Sequence, residues 1–223
     1  MLSNRRNNWI VAGGLTCAVL GLSAGCAPSP SATATHPMPG GGGFNARSGP
    51  AAGGASGTVG GVSTSGFTMS TSTGQQVTVN EASSTTYQKG TSSTSASAIT
   101  TGEGVLVLGT TSGTTIAATQ VIVQPAGGSA TSSAAGVVPF QGGAPTTSKQ
   151  VGQIPANYTE GSGTILSGPA ADQATEAALA AYSGGIVDRV VQLSNGEYEV
   201  HNIGVKWPHH IFVNQDFKVV GAD

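Results

Sequence analysis

Residues 102–123 read GEGVLVLGTTSGTTIAATQVIV, two runs of strand-forming residues separated by a short turn-forming stretch. Side chains alternate across a strand, so Val105 and Val107 share one face and Leu106 and Leu108 the other. This pair of strands therefore demands apolar cover on both sides, and a small closed or nearly closed β-barrel satisfies that demand. The same rhythm extends upstream through GTVGGVS, FTMSTST and QQVTVN, where Val77 and Val79 share a face and Gly74 marks a turn. The alternating pattern spans residues 56–124.

The order GTV, FTM, QQVTVN, SSTTY, GEGVLVLG, ATQVIV resembles a domain of unknown function found in exported bacterial proteins and built as an OB-like β-barrel. That resemblance implies a fold and says nearly nothing about activity. A barrel of this class that binds oligonucleotides or sugars uses aromatic platforms and a basic groove. Here Phe67, Tyr87 and Lys89 are the candidates, and isolated rings in a small barrel are expected in its core or rim. Lys and Arg are scattered along the chain and the formal net charge is -2, so no electrostatic footprint for nucleic acid exists.

Toward the N-terminus, Arg5 and Arg6 precede an apolar run from Trp9 to Leu22, followed by Ser23, Ala24, Gly25 and Cys26. This order is that of a secretory signal, and the run is too short for a membrane span of about 20 residues. Small residues directly before a cysteine resemble the lipobox of bacterial lipoproteins, in which a diacylglycerol is attached to the cysteine sulfur before the signal is removed. The resemblance implies lipid attachment (palmitate-type acyl chains) at Cys26, removal of residues 1–25, and a protein held on the extracytoplasmic face of the cell membrane. Cysteine usage agrees: of the two cysteines, Cys17 lies within the discarded run, leaving one thiol and no disulfide within a chain. Acyl chains contribute about 0.8 kcal/mol per buried methylene, enough in combination to anchor the chain firmly.

Composition divides the rest. The chain holds 35 glycines and only 8% charged residues, and its Ser, Thr, Ala and Gly blocks cannot offset the entropy of ordering them. Residues 26–55, rich in Pro and Gly, read as a disordered tether, and residues 125–168 as a flexible linker, with QIPANYTEGSGTIL the one stretch that can dock. From Pro169 the composition becomes ordinary. Pro169 suits a first helical turn, Asp172 and Glu176 favour its positive end, and Gly184 with Gly185 suits its stop. Ala171, Ala174, Ala178 and Tyr182 then form the packed face, with Asp172, Gln173 and Glu176 facing solvent. Asn195–Gly196 predicts a two-residue hairpin, and Ile211, Val213, Phe217 and Val219 supply two further strands. The fold class expected is mixed: a small all-β OB-like barrel joined by disordered linkers to an α+β module of one helix on an antiparallel sheet.

One helix followed by such strands, with GGIVDRVV, YEVHN and FVNQDFKVVG, resembles the PepSY family over residues 169–223. That resemblance implies an envelope module that binds or restrains a protein or cell-wall partner, in some members a peptidase. Candidate partner-binding residues are Trp207, His209 and His210, although a lone Trp in so small a module is expected in its core. Glu197, Glu199 and His201 share a face, and His209 or His210 lies across from them, which gives an alternative reading as a metal-binding or metal-sensing lipoprotein through Glu199, His201 and His210. A solvated polar face explains the same spacing, and it is the expectation the alternation favours. No GxSxG, HExxH or SxxK motif is present, so the expectation is a non-enzymatic protein without a cofactor.

Overall fold

A computed structural model describes residues 49–124, 150–156 and 158–223. The signal segment, Cys26, the tether up to residue 48, and linker residues 125–149 lie outside the described residues. Among the described residues the fold is mostly β, with one α-helix and a single 3-10 turn at Ala96–Ala98.

Five strands close a barrel. They are β1 (Ala51–Ser63), β2 (Gly66–Ser70), β3 (Gln76–Asn80), β6 (Gly104–Ser112) and β7 (Thr115–Val123). β1 pairs β2, β2 pairs β3, β3 pairs β7 in parallel, β7 pairs β6, and β6 returns to β1, so no edge is left in the ring. Two short strands, β4 (Thr86–Lys89) and β5 (Ser92–Ser93), extend the sheet beside β7. A register shift between Val59 and Gly61 bends β1 so that its first half lies along β6 and its second half along β2. Val105 and Val107 point into the barrel with Val77, Val79, Met69 and Phe67, as their alternation requires. Tyr87 packs half-buried against the same cluster. The barrel consistent with the OB-like reading is therefore present, with its aromatics used for packing.

β1 begins at Ala51, inside the stretch whose composition reads as tether. The glycines there are demanded by packing rather than by flexibility. A Cβ on Gly53 would run into the Val187 carbonyl, and one on Gly54 into the Val107 carbonyl, because β1 is flanked at this point by strands on both sides. The second flanking strand is β10 (Ile186–Gln192), whose Val187 and Ile186 pair with Gly54 and Ala55. From β10 the sheet continues antiparallel through β11 (Tyr198–Ile203), β12 (His210–Val213) and β13 (Val219–Ala222). Barrel and C-terminal sheet are thus joined edge to edge in one continuous sheet.

The helix α1 (Pro169–Ala181) starts with Pro at its first turn, as expected, and covers the seam. Its Ala171, Ala174, Ala178 and Leu179 pack in one cluster with Leu106, Leu108 and Ile122 on the outside of the barrel and with Val190, Val200 and Ile211 of the C-terminal sheet. The second apolar face of residues 105–108 is therefore buried by α1, while barrel closure buries only the first. Glu176, expected on the solvent face, is buried, because the helix is enclosed on more than one side.

Part of the segment that reads as linker is also built in. β8 (Val151–Gly152) pairs β13, and β9 (Thr164–Ile165) pairs β10. Between them Ile154 and Tyr158 pack on Phe212 and Val191, covering the face of the C-terminal sheet opposite α1. The hairpin at Asn195–Gly196 is present, but as a three-residue loop. Only Gly196 adopts positive φ, at 84°, with its N–H on the Leu193 carbonyl. Phe217 lies in a turn, with φ of 56°, and stacks on Tyr198 at 5.4 Å. Among the described residues no helix is long and apolar enough to cross a membrane.

Candidate functional site

Alternation along β11 puts Tyr198 and Val200 under α1 and sends Glu199 and His201 to the opposite face. β12 then sets His210 directly across from His201. The two imidazoles lie with ring centroids 5.2 Å apart and planes at 53°. Each is backed by a carboxylate at the same ring atom. His201 Nδ1 is 2.6 Å from Asp188 Oδ1, and His210 Nδ1 is 2.8 Å from Glu199 Oε1. Arg189 on β10 sits across from His201 and reaches the other Asp188 oxygen at 3.5 Å. The Tyr158 hydroxyl lies 2.9 Å from His210 Nδ1, and its ring meets Phe212 edge-on at 4.7 Å.

This face is not solvated. Glu199 is 1% exposed, and the imidazoles of His201 and His210 keep 16% and 14%. The expected polar face is instead partly covered by Tyr158 at His210, with Ile154 packed in the same cluster as Phe212, both from the stretch the sequence pattern leaves as linker. Burial, followed by the charges of Glu199, Glu160 and Asp223, pushes the Tyr158 phenol well above its ordinary range, so it remains a neutral hydroxyl.

A carboxylate accepting at Nδ1 selects the tautomer with the proton on that atom and leaves Nε2 as the free lone pair. Both imidazoles line an open groove of about 620 Å³ together with Glu160, Lys206, Trp207, His209 and Asp223. The groove floor is fixed by backbone: the amides of His209 and His210 both donate to the Asp223 carbonyl, and that of Asn202 to the His209 carbonyl. Trp207 precedes Pro208 through a cis peptide bond and stands edge-on to Tyr182 at 5.5 Å. It is half-buried at the groove wall, not in the core as its isolation in the sequence suggests, because its other side looks onto the cavity.

The structure thus brings Trp207, His209 and His210 to one groove. It also gathers Glu199, His201 and His210, but in another arrangement than a three-ligand cage. Glu199 spends one oxygen on His210 Nδ1 and is sealed from the cavity, and among the described residues no three His, Cys, Asp or Glu side chains form a metal-holding group. Glu197 is drawn into the hairpin, accepting from Asn195 Nδ2 at 2.8 Å.

Asp188 and Tyr158 were not singled out by sequence reasoning. The signal for Asp188 is its place beside Arg189 inside IVDRVVQ, an otherwise apolar strand where a charged pair needs partners. Tyr158 carried only the general mark of a docking stretch.

No family model matches this chain, and comparison with curated proteins and with solved structures finds no match.

Proposed function

We propose that this chain is a lipid-anchored cell-envelope protein that works by binding, not by catalysis, and that its C-terminal groove recognises a protein or cell-wall partner. The anchor rests on the SAGC sequence ending at Cys26, where acylation of the sulfur would hold the chain on the extracytoplasmic face of the membrane. The observation that carries the binding reading is the groove itself. Trp207 offers an aromatic wall beside imidazoles, two carboxylates and the Lys206 ammonium, the mixture of ring, donor and acceptor with which a partner's polar surface is held. One helix followed by four antiparallel strands supports reading residues 169–223 as PepSY-like, and that resemblance in turn favours a partner that is restrained, such as an envelope peptidase.

Two variants test the two halves of this reading separately. Cys26→Ala is expected to move the processed protein from the membrane fraction to the soluble fraction, and unchanged membrane retention would refute lipid anchoring. Trp207→Ala, made in the Cys26→Ala background so that no lipid holds the chain, is expected to lose retention on isolated envelopes while keeping a cooperative melt. Retention equal to the unaltered chain would place the contact surface elsewhere.

A further inference from the structure

We infer that His201 and His210 together form a binding site for one borderline transition-metal dication of the zinc, copper or nickel class, held through the two Nε2 atoms with its remaining positions open to the groove. The inference goes beyond partner recognition and does not depend on it.

Orientation of the ligands is the first argument. A metal-bound histidine characteristically donates its other ring N–H to a carboxylate, which fixes the tautomer and raises ligand basicity. Both rings are held that way, His201 by Asp188 at 2.6 Å and His210 by Glu199 at 2.8 Å. Two carboxylate-backed imidazoles directly opposite each other on adjacent strands exceed what a polar face requires.

Spacing is the second. Metal–nitrogen bonds of about 2.0–2.1 Å at a tetrahedral angle put two ring centroids about 5 Å apart. The observed centroid separation is 5.2 Å, the spacing that two imidazoles on one cation require, and the two residues are already paired across β11 and β12. Imidazole nitrogen suits zinc, copper and nickel, and not calcium or magnesium, which take oxygen.

Charge is the third. The second oxygen of Glu199 is buried and has no hydrogen-bond partner among the described residues, so His210 offsets only part of the cost of burying this carboxylate. A cation on the far nitrogen of His210 offsets it. Lys206 lines the same groove but is exposed, and its ammonium can turn to water on its long stem. With two protein ligands fixed, the open positions are taken by water or by a donor from a groove occupant.

The test adds zinc chloride alone to the processed full chain. The expected result is one bound ion per chain and a melting temperature that rises with zinc concentration. His201→Gln and His210→Gln should each weaken binding more than tenfold, and Asp188→Asn, which keeps both ligands, should weaken it about 10- to 100-fold. Asp216→Asn, remote from the groove, should leave it unchanged. Because a histidine variant can disturb the fold, imidazole nitrogen resonances of the unaltered chain provide an independent readout. Zinc should displace the Nε2 signals of His201 and His210 while their Nδ1 protons persist. Absence of any zinc-dependent shift up to millimolar concentration, or binding that leaves both Nε2 signals in place, would overturn the inference.

Discussion

The barrel, residues 51–124, and the C-terminal part, residues 150–223, share one sheet and yet bury different chemistry. In the barrel the buried polar residues are Ser56, Thr71, Thr85, Thr111 and Gln124, none of them charged. In the C-terminal part they include Glu176, Arg189 and Glu199. Desolvating a charge is expensive, and a buried ion pair rarely stabilises more than a well-packed apolar pair would. A fold that keeps its interior free of charge in one half and admits charge in the other separates scaffold from working surface. The barrel supplies a rigid body, and the sheet grown from β1 carries the polar groove.

That contrast can be broken by substitution. Glu199→Ala leaves the Nδ1–H of His210 without its carboxylate beside a new cavity and should cost about 2–5 kcal/mol, a stranded buried donor adding to the lost packing. Glu199→Gln keeps shape and one acceptor and should cost less. Thermal or urea melts of both variants measure the difference, and equal melts would show that the pair contributes nothing.

Leu106→Ala should cost about 2–5 kcal/mol, as for other buried leucines. Leu106 is fully buried between the barrel wall and α1, so the melt should remain a single transition. Two resolved transitions would mean that barrel and C-terminal sheet are energetically separate. Trp207→Ala, at a half-buried wall position, should cost about 1–2 kcal/mol, well below a core tryptophan, while removing groove binding.

The smallest expected effect concerns Asp172 in the first turn of α1. Burial raises its carboxyl above the ordinary aspartate range. A folded value above the unfolded one means that the fold prefers the protonated acid, so this group weakens the fold at neutral pH and the penalty fades as pH falls through the folded value. Asp172→Asn should therefore raise the melting temperature slightly at pH 7 and do nothing at pH 3. A lowered melting temperature at pH 7 would show that attraction to the helix N-terminus outweighs burial.

Legibility in the sequence followed the same division. Strict alternation at Val77, Val79 and residues 105–108, and Pro169 at a helix start, are local signals, and the barrel strands and α1 lie where those signals put them. Gly53 and Gly54 carry the opposite lesson. Their composition is that of a tether, but each is small because another strand's carbonyl occupies the place of a side chain, a long-range fact with no local trace. The groove was half legible. Spacing of two along β11 and the histidines after Pro208 pointed to His201, His209 and His210, which line the groove, but the cover from Tyr158 depends on a long-range contact, and Asp188 reaches His201 only through the β10–β11 register.

The groove is fixed to the barrel through β1 and α1, which pair with and pack on both parts. Introducing a protease site between residues 130 and 140 and cutting the purified chain there tests it most directly. The fragments carrying residues 51–124 and 150–223 should co-elute in size exclusion and melt together, because β10 still pairs β1 and α1 still covers Leu106 and Leu108. Separation of the cut fragments into two independently folded species under native conditions would contradict it.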